Sequence, residues 1–140
     1  LIERCCQIKA EIVSEDEREG SIRAILNYGH TFGHAIESLT DYSVYTHGEA
    51  VSIGMVMAAS MAERMGMISK DDKKDIISLL ESVNLPTKKP SLNSNDFLKS
   101  MKRDKKAQDG EIRLILLDGI GRAIISNDYP NEILMETILE

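Results

Sequence analysis

All three histidines of the sequence, His30, His34 and His47, fall in the run LNYGHTFGHAIES followed by YTHGEAV. Neutral imidazoles hold borderline divalent ions at about 2.0–2.1 Å, and they exchange protons near neutral pH. Arg23, Asn27, His30, His34 and Glu37 follow the spacing 4, 3, 4, 3. On one helix expected from about Ser21 to Ser38, they occupy an arc of roughly 80°. Ala24, Ile25, Phe32, Ala35, Ile36 and Leu39 supply packing on its other sides. A solvated face could carry the same polar stripe, because His-x3-His alone is a weak metal signal. Two features add to it. Gly29 and Gly33 each cost about 1 kcal/mol inside a helix relative to alanine, a cost explained by close approach of another backbone or ligand. His47, just before Gly48, stands at the start of a further helix and can converge on the stripe from another direction. Spacing leaves open which two histidines would ligate.

The elements that must position these residues are mostly helical. Leu1 to about Ser14 reads as a helix with Ile2, Cys5, Cys6, Ile8 and Ile12 available for one face, followed by a charged connection closed by Gly20. From His47 to about Gly66 the pattern is apolar on most sides, as expected of a buried central helix. Glu49 is placed to cap it, where a carboxylate meets the positive end of the helix dipole. Ser69 with Asp72 forms a capping-box pattern for an amphipathic helix from Lys70 to Val83. After Pro86 and Pro90, a short helix is expected from Asn95 or Asp96 through Met101. Glu111–Leu117 and Arg122–Ser126, joined by Asp118-Gly-Ile-Gly121, read as a β-hairpin. Pro130-Asn131 opens a last helix. The expected fold is a mainly α bundle with one small hairpin, in a single domain over residues 1–140.

Composition narrows the function classes. The 140 residues are 42% hydrophobic and 29% charged, in the range of a globular domain. The net charge of −6 argues against nucleic acid, whose phosphates demand a basic face. No run approaches the roughly 20 apolar residues that span a bilayer. The two cysteines, Cys5 and Cys6, are adjacent and in no zinc-ligand spacing, consistent with reduced thiols in the cytoplasm. The sequence starts at Leu1 inside a helical pattern, so a fragment of a longer protein is expected.

The run Arg23-x-x-x-Asn27-x-Gly29-His30-x-x-Gly33-His34-Ala35-x-Glu37, then His47-Gly48-Glu49-Ala50-Val51, resembles 3-dehydroquinate synthase. Lys9 upstream, and Asp104-Lys105-Lys106 and Gly119-Ile120-Gly121 downstream, extend the resemblance over essentially the whole chain. It implies the helical C-terminal domain of that enzyme, with His30 and His47 as ligands to Zn2+ or Co2+. It further implies that His34 sits near the leaving phosphate and takes part in proton transfer, and that Asn27 is a catalytic residue that also helps to hold the substrate. Lys9, Arg23 and one of Lys105 or Lys106 would hold the anionic sugar phosphate. The family converts 3-deoxy-D-arabino-heptulosonate 7-phosphate into 3-dehydroquinate and phosphate, a lyase step of the shikimate pathway of aromatic amino acid biosynthesis, using NAD+ transiently. A homodimer is implied for the full-length enzyme.

No glycine-rich dinucleotide turn occurs here, since Gly119-x-Gly121 opens no helix. NAD+ would therefore be bound by an N-terminal domain absent from this chain, leaving no cofactor-binding residues here and the fragment inactive alone. The resemblance also calls for a glutamate ligand before Leu1, without which two histidines fall one short of the usual three protein ligands. Rival readings are a related sugar phosphate cyclase, such as 2-deoxy-scyllo-inosose or 2-epi-5-epi-valiolone synthase, and a non-catalytic helical binding module.

Overall fold

In the computed structural model, residues 2–15, 22–103 and 112–140 are described. They form α1 (Ile2–Glu15), a 3-10 helix (Ile22–Asn27), α2 (His30–Leu39), α3 (His47–Arg64), α4 (Lys70–Ser82) and α5 (Ser94–Arg103). The strands β1 (Leu114–Leu117) and β2 (Ala123–Ser126) follow, then α6 (Asn131–Leu139). The expected mainly α fold with one hairpin is what the chain adopts.

α3 is the centre. Ala50, Ile53, Met57, Ala58 and Met61 are almost wholly buried, and they meet Phe32, Ala35 and Ile36 of α2. Phe97 and Met101 of α5, Leu114 and Leu116 of β1, and Leu134 and Ile138 of α6 complete this core. Burying such side chains stabilises by roughly 1.5–3 kcal/mol each, which fixes α3 as the element against which the others are placed. Glu49 caps its start as expected, and does so in a capping box with Thr46: the Thr46 amide donates to Glu49 Oε2 at 2.8 Å, and the Glu49 amide donates to Thr46 Oγ1 at 3.4 Å. Ser69 and Asp72 do the same for α4, with the Ser69 amide 2.8 Å from Asp72 Oδ2. At α5 the cap is Asn93, whose Oδ1 accepts from the Asn95 and Asp96 amides at 3.0 and 3.1 Å. Lys73 of α4 binds Glu63 of α3 at 2.9 Å, and Arg64 binds Glu140 at 2.8 Å.

The hairpin pairs Leu114 with Ser126 and Leu117 with Ala123, antiparallel. Of the strand expected over Glu111–Leu117, Glu111 lies outside the described residues, and Ile112 and Arg113 precede β1. Arg113 there spends its carbonyl on the Thr31 hydroxyl at 3.3 Å instead of on a strand partner.

The second helix departs from expectation. Ser21 lies outside the described residues, and the remainder is not one helix: a 3-10 segment ends at Asn27 and α2 begins at His30. Gly29 between them has φ 81°, a left-handed conformation that interrupts the helical ladder. The cause is the approach of α3. A Cβ on Gly29 would lie 2.8 Å from the Val51 carbonyl oxygen, and one on Gly33 would lie 3.0 Å from the Val51 Cα. Glycines at 29 and 33 thus serve close backbone contact, as their cost implied, but at 29 the contact also breaks the helix. The single stripe from Arg23 to Glu37 is therefore corrected: Arg23 and Asn27 are carried by a separate, differently wound segment, and only His30, His34 and Glu37 share the face of α2.

Candidate metal centre

His30 and His34 project from successive turns of α2, and His47 is the first residue of α3. The glycine-lined crossing of these helices brings the three rings together. Ring centroids lie 5.2 Å apart for His30 and His47, 5.6 Å for His30 and His34, and 5.8 Å for His34 and His47. Glu37, one turn beyond His34, adds a carboxylate. Its oxygens lie 3.1 and 3.2 Å from His47 Nδ1.

The site has a buried floor and an open mouth. The Glu37 side chain is 10% exposed and that of His47 56%. Beneath His30, Tyr28 donates its hydroxyl to the Met55 carbonyl at 3.0 Å, and burial pushes its phenol well above the ordinary tyrosine range, so it stays neutral. The His30 ring nitrogen Nδ1 stands 3.4 Å from the Tyr28 carbonyl. On the other side, His34 and Glu37 border a cleft of about 720 Å³ whose far wall is α5, with Lys99, Ser100 and Arg103.

This donor set fits a borderline divalent ion. Imidazole nitrogens and a carboxylate oxygen are the ligands that zinc and cobalt accept. Donor atoms of His34, Glu37 and His47 all lie within 4.8 Å of one another. Two ligand atoms each about 2.0–2.1 Å from one ion are at most about 4.2 Å apart, so small side-chain rotations suffice. Of the pair implied by the resemblance, His47 belongs to this group and His30 does not, although the His30 and His47 rings have the shortest centroid separation of the three, 5.2 Å.

The other candidates fare unevenly. Asn27 and Arg23 are half-buried on the 3-10 helix leading to His30, and Lys9 is exposed on α1, which packs against that helix. Lys105 and Lys106 lie outside the described residues. Two features escape the sequence. The contact of Glu37 with His47 bridges ten positions across the 40–46 loop, and spacing gives no sign of it. The basic wall of Lys99 and Arg103 reads as an ordinary charged helix face, since α5 is amphipathic whatever it faces.

Known proteins share the sequence and the fold of this chain. Residues 1–107 match the family described as 3-dehydroquinate synthase C-terminal. A 3-dehydroquinate synthase from Acidithiobacillus ferrooxidans is 49% identical over 138 residues, 99% of this chain and 38% of that protein. One from Vibrio atlanticus is 50% identical over 138 residues, 98% of this chain and again 38% of the relative. The chain thus spans 38% of the length of these curated relatives. A structure of 2-deoxy-scyllo-inosose synthase complexed with carbaglucose-6-phosphate, NAD+ and Co2+ superposes with a TM-score of 0.81 at 30% identity, covering 98% of this chain and 40% of that one. A 2-epi-5-epi-valiolone synthase from Streptomyces hygroscopicus shares the fold, with a TM-score of 0.84 at 23% identity over 98% of this chain and 38% of that one. With fold, histidine cluster and sequence in agreement, the chain belongs to the 3-dehydroquinate synthase C-terminal family.

Proposed function

We propose that this chain is the metal- and substrate-binding part of a 3-dehydroquinate synthase, acting on 3-deoxy-D-arabino-heptulosonate 7-phosphate together with a preceding NAD+-binding domain. The observation that carries the reading is the convergence of His30, His34 and His47 from two helices onto one point beside a polar cleft. Relatives at 49–50% identity over nearly the whole chain support this substrate over that of the cyclase at 30%.

His30 and His47 would hold Zn2+ or Co2+, joined by a ligand from the preceding domain or from this cluster. When bound, the metal supplies Lewis-acid polarisation of a substrate oxygen. NAD+ supplies transient oxidation of a ring hydroxyl. Lys9, Arg23 and one of Lys105 or Lys106 neutralise the carboxylate and phosphate of the substrate, where charge-assisted hydrogen bonds are strongest. Asn27 orients the sugar by hydrogen bonding. His34, on the cleft side of the cluster, moves a proton as the phosphate departs, the general acid-base role that a positioned imidazole can take. The full-length enzyme is a cytoplasmic homodimer on this reading; among the described residues no helix is long and apolar enough to cross a membrane.

Phosphate release by the chain joined to the preceding domain tests the proposal. Turnover with the heptulosonate phosphate and none with glucose 6-phosphate supports it, whereas the reverse preference assigns the chain to the inosose-forming cyclases.

A further inference from the structure

Glu37 is an odd residue where it stands. It lies in the last turn of α2, where the helix dipole disfavours a negative charge, and that turn holds no basic residue. Only 10% of its side chain is exposed, so water does little to solvate the carboxylate. Its backbone carbonyl closes the helix by accepting from the Thr40 and Tyr42 amides at 3.3 and 2.9 Å, which anchors the residue. Packing alone favours an apolar side chain at such a position. What the carboxylate meets instead is His47 Nδ1, with both oxygens within 3.2 Å.

His47 needs such a partner. As the first residue of α3, with a side chain 56% exposed, its ring is little confined by packing. An ionised carboxylate only accepts hydrogen bonds, so this contact is a hydrogen bond when Nδ1 carries the proton, as it does in the Nδ1–H tautomer. The lone pair is then on Nε2, on the far side of the ring from Glu37.

We propose that Glu37 is a positioning residue of the metal centre, fixing the tautomer and orientation of His47 so that Nε2 is presented to the ion. This rests on the reading of His47 as a ligand and deepens it. Carboxylates that hold a ligating imidazole in this way typically contribute 10–100-fold to metal affinity. Glu37 is thereby distinguished from a direct ligand, although its oxygens lie within reach of the same ion.

The test uses the chain joined to its preceding domain, with Zn2+ affinity measured by chelator competition and tautomers read by long-range 1H–15N NMR on the metal-free protein. The expected results are a 10–100-fold weaker Kd for Glu37→Ala, substantial recovery in Glu37→Gln, whose amide oxygen still accepts from Nδ1–H, and an Nδ1–H His47 that becomes a tautomer mixture in Glu37→Ala. At saturating Co2+, the visible spectrum of Glu37→Gln keeps the wild-type band shape. Wild-type Zn2+ affinity in Glu37→Ala, or an Nε2–H His47 in the unmutated protein, overturns the proposal. So does a changed Co2+ spectrum in Glu37→Gln, which would make the carboxylate a ligand. Should Glu37→Ala fail to fold, the near-isosteric Glu37→Gln still decides between these outcomes through its spectrum and the tautomer. If His47→Ala leaves Zn2+ affinity untouched, it is the ligand reading of His47 that fails, while the tautomer measurement still tests the contact.

Discussion

The Gly29 carbonyl oxygen occupies the space in which a side chain on Gly54 would begin. The same absent side chain would also crowd the Gly33 amide, 2.8 Å away. α2 and α3 therefore touch backbone to backbone at the level of the histidines.

Gly54→Ala is accordingly expected to cost about 2–3 kcal/mol or more, because neither backbone can yield as a flexible side chain would. Denaturant unfolding measures the loss. An effect below about 0.5 kcal/mol would show that the helices part easily.

The helix caps give a pH dependence. The Thr46 amide, then the Thr46 hydroxyl, hold the Glu49 carboxyl below its ordinary value of 4.5, and the Ser69 amide and hydroxyl hold Asp72 below 3.8. Groups lowered by folding stabilise above their unfolded pKa, and that contribution is lost as pH falls through the folded one. Thermal stability is thus expected to decline as pH drops from about 5 to below 4. Glu49→Gln and Asp72→Asn together should flatten the decline; an unchanged slope refutes the assignment.

His34→Ala in the protein that includes the preceding domain is expected to lower kcat by about 10²–10⁴-fold, the usual contribution of positioned proton transfer. Zn2+ content should remain near that of the unmutated protein. Loss of the ion with the activity would instead make His34 a ligand.

The isolated 140-residue chain is expected neither to bind NAD+ nor to release phosphate. A dinucleotide needs a glycine turn feeding a helix N-terminus to cradle its pyrophosphate, and the sequence carries none. Calorimetry with NAD+ and a phosphate assay decide this; turnover by these residues alone contradicts the division of labour proposed above.

Much of this was legible from the sequence for identifiable reasons. The apolar surround of residues 50–62 announces a buried helix, and Ser69 with Asp72 announces its neighbour's start, because both signals are local. The break at Tyr28–Gly29 was not legible. A glycine's cost in a helix reveals that something comes close, but whether the chain stays helical depends on where α3 lies, which is non-local. Glu37 illustrates the same limit. Its periodicity put it on the face of His30 and His34, while its partner His47 arrives by way of a loop whose path periodicity does not describe. Asp41 and Tyr42 in that loop adopt φ of 51° and 54°, conformations no pattern of residue types there demands.

The glycine crossing also bears on transplantation. A scaffold given His30, His34, Glu37 and His47 on two conventionally spaced helices would hold the rings apart, since ordinary helix pairs sit 8–10 Å between axes with side chains interposed. Gly29, Gly33 and Gly54 are the part of the recipe that contains no ligand atoms. A graft that omitted them would copy the chemistry of the centre without its dimensions.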